Sequence, residues 1–196
     1  MKILNLYAGV GGNRRLWEGH DITSVEYDPD IAAAYRSLYP DDELIVGDAH
    51  SFLLDNYSDY DFIWSSPPCQ SHSRVRYHSR VLSGRSEMIY PDMRLYEEIL
   101  LLKHNFRGRY VVENVVPWYA PMMNPVKLHR HLYWANFTLP NEREREPDGL
   151  RHKQTTDLQR DYGIDLSGFY LKNRRQVLRN MVHPQDGLDI LNAALV

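Results

Sequence analysis

Over the first 116 residues, short apolar runs alternate with segments of helical periodicity, and this alternation restricts the fold more than any other feature. "KILNLY" (2–7), "ITSVEYD" (22–28), "DELIVGDA" (42–49), "YDFIWSS" (60–66) and "GRYVVENV" (108–115) read as five strands. Between them, "RRLWEG" (14–19), "DIAAAYRSLY" (30–39), "HSFLLDNY" (50–57) and "DMRLYEEILLLKHNF" (92–106) read as helices. Strands separated by helices must run parallel, so the pattern predicts an α/β fold with a doubly wound, mostly parallel sheet. At 196 residues, the length suits a single domain with a real core.

Each of the five runs ends on a residue that a core has no use for. Gly9, Gly11 and Gly12 follow the first, Glu26 closes the second and Asp48 closes the third. Cys69 follows the fourth, and Glu113 ends the fifth. In open α/β sheets, ligands bind outside the carboxyl ends of the strands, so five such residues in a row mark one site. Singly, each has a plain structural reading: a tight turn, a helix cap, a solvated acid or a buried acid satisfied by backbone donors. The glycine turn "AGVGGN" lacks the GxGxxG fingerprint of a dinucleotide site. A glycine turn with acids ending strands two and three suits S-adenosylmethionine instead. Glu26 would accept from the ribose hydroxyls and Asp48 from the adenine amino group. Tyr7 and Tyr27 would supply apolar faces around the base.

The single cysteine stands in "SSPPCQSHSR" (65–74), behind two prolines and ahead of polar and basic residues. That is loop chemistry, whereas a free cysteine is more often a small core residue. Prolines restrain the backbone and aim the thiol, and Arg74, Arg76 and the nearby histidines would favour the thiolate. One cysteine makes neither an internal disulfide nor a convincing zinc site, so a reducing compartment and no metal are expected.

Together these residues resemble the DNA (cytosine-5)-methyltransferase family, in the compact form found in bacteriophages. The ordered motifs are "NLYAGVGG", "EYD", "GDA", "PPCQS" and "ENV", with "RRQVLRNMVHP" similar to the last family motif. The resemblance implies a Rossmann-like S-adenosylmethionine-dependent methyltransferase. Cys69 would add to C6 of cytosine, Glu113 would hydrogen-bond or protonate N3, and Asn114 would brace the cysteine loop. Arg130 or His131 would contact the base carbonyl. The cofactor, which leaves as S-adenosylhomocysteine, would lie against Tyr7, Ala8, Gly9, Gly11, Gly12, Glu26, Tyr27, Asp48, Ala49, Pro68, Asn180 and Met181. Arg179 stands where the family usually has glycine. The segment 73–85, with four arginines and no acid, falls where the family has a mobile loop over the flipped base. Gln70, Ser73, Arg74, Arg76, Arg80 and Arg85 would face DNA.

The second half follows the family less closely. In place of a large target-recognition domain stands a polar stretch at about 140–168, whose composition suits an exposed or partly disordered loop, with a compact recognition element as the alternative. A short or degenerate target follows, or a protein partner or homodimer mate that helps read it. Two rival readings share the motifs: a transfer-RNA cytosine methyltransferase, and a silent cofactor- or DNA-binding subunit. A formal net charge of −3 excludes a generally cationic nucleic-acid coat. No run approaches the roughly 18 apolar residues of a membrane span, and the start of the chain does not read as a signal peptide. The bacterial or phage-infected cytoplasm is the expected location.

Overall fold

A computed structural model describes residues 1–143 and 153–196. Seven strands form one sheet in the order β3-β2-β1-β4-β5-β7-β6. The first five are β1 (Lys2–Leu6), β2 (Asp21–Glu26), β3 (Glu43–Val46), β4 (Phe62–Ser65) and β5 (Arg109–Val115). These five pair with one another in parallel. The hairpin β6 (Val126–Leu128) and β7 (His131–Ala135) extends the edge, with β7 antiparallel to both β5 and β6. This is an open, doubly wound α/β sheet extended at one edge by an antiparallel hairpin.

Side-chain alternation along the strands builds two cores. Leu4, Leu6, Ile63, Val112 and Trp134 face α2 (Ala49–Asn56) and α4 (Arg94–Asn105), which contribute Leu53, Leu95, Ile99 and Leu102. Ile3, Phe62, Trp64, Val111 and Tyr133 face the other way, onto Ile190, Leu191 and Ala194 of α7 (Pro184–Ala194). Each fully buried aliphatic or Phe side chain contributes roughly 1.5–3 kcal/mol. The strands are therefore held from both faces, and their polar carboxyl ends are left for the site.

Helix α1 (Pro29–Leu38) starts where the sequence signals it. Pro29 occupies the first turn, and the Asp28 side chain accepts from Asp30 N and Ile31 N. The helix expected over 14–19 does not form, and that stretch is a series of turns. Six residues make a weak helix on their own, and tertiary bonds draw these apart. Arg14 pairs with Asp42 through two bonds of 2.7 Å, and its guanidinium lies over the Tyr39 ring. Trp17 is buried and donates to Gly187 O at 3.1 Å.

Beyond β7, the structure departs from the exposed polar loop expected at about 140–168. Residues 144–152 lie outside the described residues. Thr155–Tyr162 form α5, closed by Gly163 at φ +64°, and Arg174–Asn180 form α6. Leu158, Tyr162, Ile164, Leu166, Leu178 and Met181 pack together against Val10 and Ala34. The apolar residues are few but fall on one face, so a polar composition conceals a packed helical cap. Among the described residues, no helix is long and apolar enough to cross a membrane. Helix α3 (Arg74–Arg76) runs into a π-helical stretch over Tyr77–Val81, in the segment expected as a mobile loop.

Candidate active site

A cavity of about 730 Å³ opens at the carboxyl ends of the parallel strands. Its first wall is the glycine turn. Backbone φ is positive at Tyr7 (+56°), Gly9 (+57°) and Gly11 (+75°), so the chain reverses sharply off β1. Gly9 N donates to Glu26 Oε2 at 2.8 Å, and Asp28 N donates to Glu26 Oε1 at 2.9 Å. Tyr27 N is a third backbone donor to this carboxylate, which still keeps acceptor capacity for a ligand hydroxyl. Burial raises the Glu26 pKa against these donors. A Cβ on Gly12 would stand 2.7 Å from Val182 O and 2.9 Å from Met181 Cβ. Glycine there lets the last motif close on the turn, and the two form one cradle. Exposed Tyr27 stands at its mouth.

The opposite wall is the cysteine loop. Ser66 leaves β4, and two prolines hold the next residues extended. Asn114 Nδ2 donates to Pro67 O at 2.9 Å, tying the loop to β5. Cys69 O accepts from His72 N and Ser73 N at 3.1 and 3.0 Å, which turns the chain immediately after the thiol. Trp118 clasps that turn through Ser71 O and His72 O, both at 3.0 Å. The Cys69 thiol is half-buried, and its pKa is pushed up to about 11, by burial first and Glu113 second. The expected thiolate is therefore not the resting form. The cation that lowers this pKa is Arg130, across the cavity. Arg74 is exposed, and Arg76 donates to Glu87 O at 3.0 Å.

Glu113 reaches the same cavity from β5. Burial raises its pKa to about 7, against a hydrogen bond from Ser66 and the charge of Arg130. His131 Nε2 lies 3.6 Å from Glu113 Oε1. The pairing of Val115 with His131 and Glu113 with Tyr133 sets the two side chains diagonally on one face. Burial holds the His131 pKa far down, so the ring is neutral and the contact is not an ion pair. Arg130, in the two-residue turn between β6 and β7, donates to Arg179 O at 2.6 Å and Met181 O at 2.5 Å. It clamps the last motif to the end of the sheet.

Tyr7, Ala8, Gly9, Gly12, Glu26, Tyr27, Pro68, Cys69, Gln70, Glu113, Arg130, His131, Asn180 and Met181 line this one cavity. Other candidates lie elsewhere. Gly11 packs against Tyr39, whose hydroxyl donates to Gly11 O at 2.8 Å. Asp48 caps α2, accepting from His50 N and from Ser51 Oγ, and Ala49 is buried in the α4-side core. Ser73, Arg74, Arg76, Arg80 and Arg85 are outside the cavity lining. Two residues that motif reading missed are prominent. Ser66 donates to Glu113. Glu98 of α4 is fully buried and accepts from Tyr7 Oη and Ser65 Oγ at 2.5 Å and from His50 Nδ1 at 2.9 Å. Glu98 stands in the apolar stripe of Leu95, Ile99 and Leu102, and an acid among such residues is the signal that could have found it.

An open α/β sheet thus carries a glycine cradle on one wall of the cavity and a Pro-Pro-Cys loop on the other. A family profile described as C-5 cytosine-specific DNA methylase matches residues 1–100, about half of the 196, and the chain belongs to that family. No curated protein sequence matches it significantly. Among solved structures, a DNMT2 mutant from Spodoptera frugiperda is 24% identical, with a TM-score of 0.40 over 58% of this chain. This chain covers 35% of that one. A putative DNA modification methyltransferase encoded within an Escherichia coli prophage is 15% identical, with a TM-score of 0.48 over 81% of this chain and 54% of that one. The putative methyltransferase yhhF from Escherichia coli is 16% identical, with a TM-score of 0.44 over 68% of this chain and 73% of that one.

Proposed function

We propose that the protein methylates C5 of cytosine in DNA, through a covalent bond between Cys69 and C6. The observation that carries this reading is the single cavity lined by Cys69 and Glu113 on one side and by Glu26 and the glycine turn on the other. The cradle fits S-adenosylmethionine. Glu26 keeps acceptor capacity for a ribose hydroxyl, Gly12 lets Met181 close on the turn, and Asn180 and Met181 line the wall. When bound, the cofactor supplies the methyl group that C5 takes up.

The protein's own residues do the rest. The C5 position of cytosine is a poor nucleophile until a group adds at C6. Cys69 starts as a thiol, and the charge of Glu113 opposes its ionisation. A protonated Glu113 removes that opposition, so the thiol gives up its proton more readily beside the neutral acid than beside its carboxylate. The thiol proton leaves to solvent as the S–C6 bond forms. Glu113 gives its proton to N3 and thereby neutralises the charge that develops on the ring. After methylation, water takes the C5 proton and the S–C6 bond breaks. The thiolate leaves, and N3 returns its proton to Glu113. Arg130, already holding Arg179 O and Met181 O, keeps this wall in place, with neutral His131 behind it.

The base reaches this cavity only outside the duplex, and flipping costs a few kcal/mol. Gln70 and the arginines at 74, 76, 80 and 85 face DNA in this reading. Their contacts go mainly to phosphates, which position a duplex without reading it. A target of about one to three bases around the cytosine follows, with strong salt dependence. DNA carrying 5-fluorocytosine tests the mechanism, because fluorine at C5 is not eliminated. The protein with S-adenosylmethionine should form a stable adduct that Cys69→Ala abolishes without loss of cofactor binding. Undiminished methylation by that variant would refute the covalent step. Modification of transfer RNA with DNA left untouched would refute the substrate. Strict modification of one site of four or more bases by the monomer would refute the short target.

A further inference from the structure

The cofactor turn and the cysteine loop belong to different strands, yet one buried side chain holds both. We propose that Glu98 is a positioning residue that couples the two halves of the site, resting on the cofactor and cysteine roles proposed above. Its two oxygens serve the two sides separately. Oε1 accepts from Tyr7 Oη at 2.5 Å and Oε2 accepts from Ser65 Oγ at 2.5 Å. His50 Nδ1 supplies a third bond, to Oε1 at 2.9 Å, and His50 Nε2 lies 3.3 Å from Glu97.

Each bond falls at a leverage point. Tyr7 is the first residue after β1 and holds φ +56°, a conformation that L side chains adopt at a cost. Two residues later, Gly9 N meets Glu26. Fixing the Tyr7 hydroxyl therefore fixes the start of the turn that orients Glu26. Ser65 is the last residue of β4 and fully buried. Ser66 follows on the opposite face and donates to Glu113, then Pro67 and Pro68 lead to Cys69. Two prolines in a row leave little slack, so the seat of Ser65 is transmitted to the thiol. Helix α4 packs by its apolar stripe against the sheet, which makes Glu98 a fixed post and not a flexible tether.

This coupling predicts a division that a merely structural acid would not produce. Tyr7→Phe keeps the ring and loses only the bond on the cofactor side. It should raise the S-adenosylhomocysteine Kd about five- to tenfold, a larger factor than its effect on kcat at saturating cofactor. Ser65→Ala loses only the bond on the cysteine side. It should lower kcat by a similar factor and leave that Kd unchanged. Glu98→Met should do both, to the extent of the Tyr7→Phe/Ser65→Ala double variant. Glu98→Gln should largely restore both, because its amide accepts from Tyr7 and donates to Ser65. If Glu98→Met does not fold, the two single hydroxyl deletions still decide. Loss of thermal stability in both, with Kd and kcat unmoved, would overturn the coupling. So would Kd and kcat moving together in each. Failure of the unsubstituted protein to bind S-adenosylhomocysteine would overturn the cofactor reading, and this inference with it.

Discussion

Glu98 and Glu113 are both acids buried beside the same strands, one on the α4 face of the sheet and one on the α7 face. Their surroundings differ in donor count. Glu98 accepts from a tyrosine, a serine and a histidine. Glu113 has one side-chain donor, Ser66, and faces a neutral histidine at 3.6 Å. A well-supplied carboxyl is an anchor. A poorly supplied one holds its proton to about pH 7 and becomes an acid that can give it away. Partner number, more than depth of burial, separates scaffold from chemistry here.

The sharpest way to break this contrast is to remove each carboxyl in turn. Glu113→Gln keeps the shape and loses the acid. Methyl transfer should fall about 10²–10⁴-fold, with cofactor affinity measured by calorimetry unchanged. Glu98→Ala should act on the fold as well as on both halves of the site. One buried donor, Ser65, and two part-buried ones, Tyr7 and His50, lose their acceptor, and denaturant unfolding should show a loss of about 3–5 kcal/mol. Equal stability losses in the two variants would erase the distinction.

A smaller effect tests the acids at the strand ends. Glu26 lines the cavity and Asp48 caps α2 outside its lining. Glu26→Ala should weaken S-adenosylmethionine binding by about 1.5–3 kcal/mol. Asp48→Ala should weaken it far less, while lowering stability by about 1 kcal/mol through the lost cap. Identical losses of affinity would bring Asp48 back to the adenine side of the site.

The smallest and most specific signature is in pH. The Glu113 pKa is raised in the folded chain from 4.5 to about 7, so the folded state binds more protons than the unfolded state between those values. Stability contributed by this residue therefore falls as pH rises from about 4.5 to 7 and levels off above. Thermal unfolding of Glu113→Gln should lack that slope. A slope unchanged by the substitution would assign it to another group.

The five parallel strands, their order of polar ends and the cysteine loop were readable from residue order. Strand alternation, glycine turns and Asp or Pro caps are local signals, set by neighbours within a few residues. Local signals also misled. "RRLWEG" has helical composition, but Arg14 and Trp17 are held by Asp42 and Gly187, far away in the chain. The polar stretch around 155–166 has few apolar residues, yet Leu158 and Leu166 are fully buried against Val10 and Ala34.

Which strands, turns and acids this chain has was determined by its sequence alone, because periodicity and backbone preference act over a few residues. Only the tertiary structure decided what the acids and the thiol are. Arg130, not Arg74 or Arg76, is the cation that bears on Cys69. Glu98 is an anchor because three residues from three separate elements converge on it. Protonation and hydrogen bonding depend on desolvation and on partners brought from distant elements, and such terms are absent from any short window of residues.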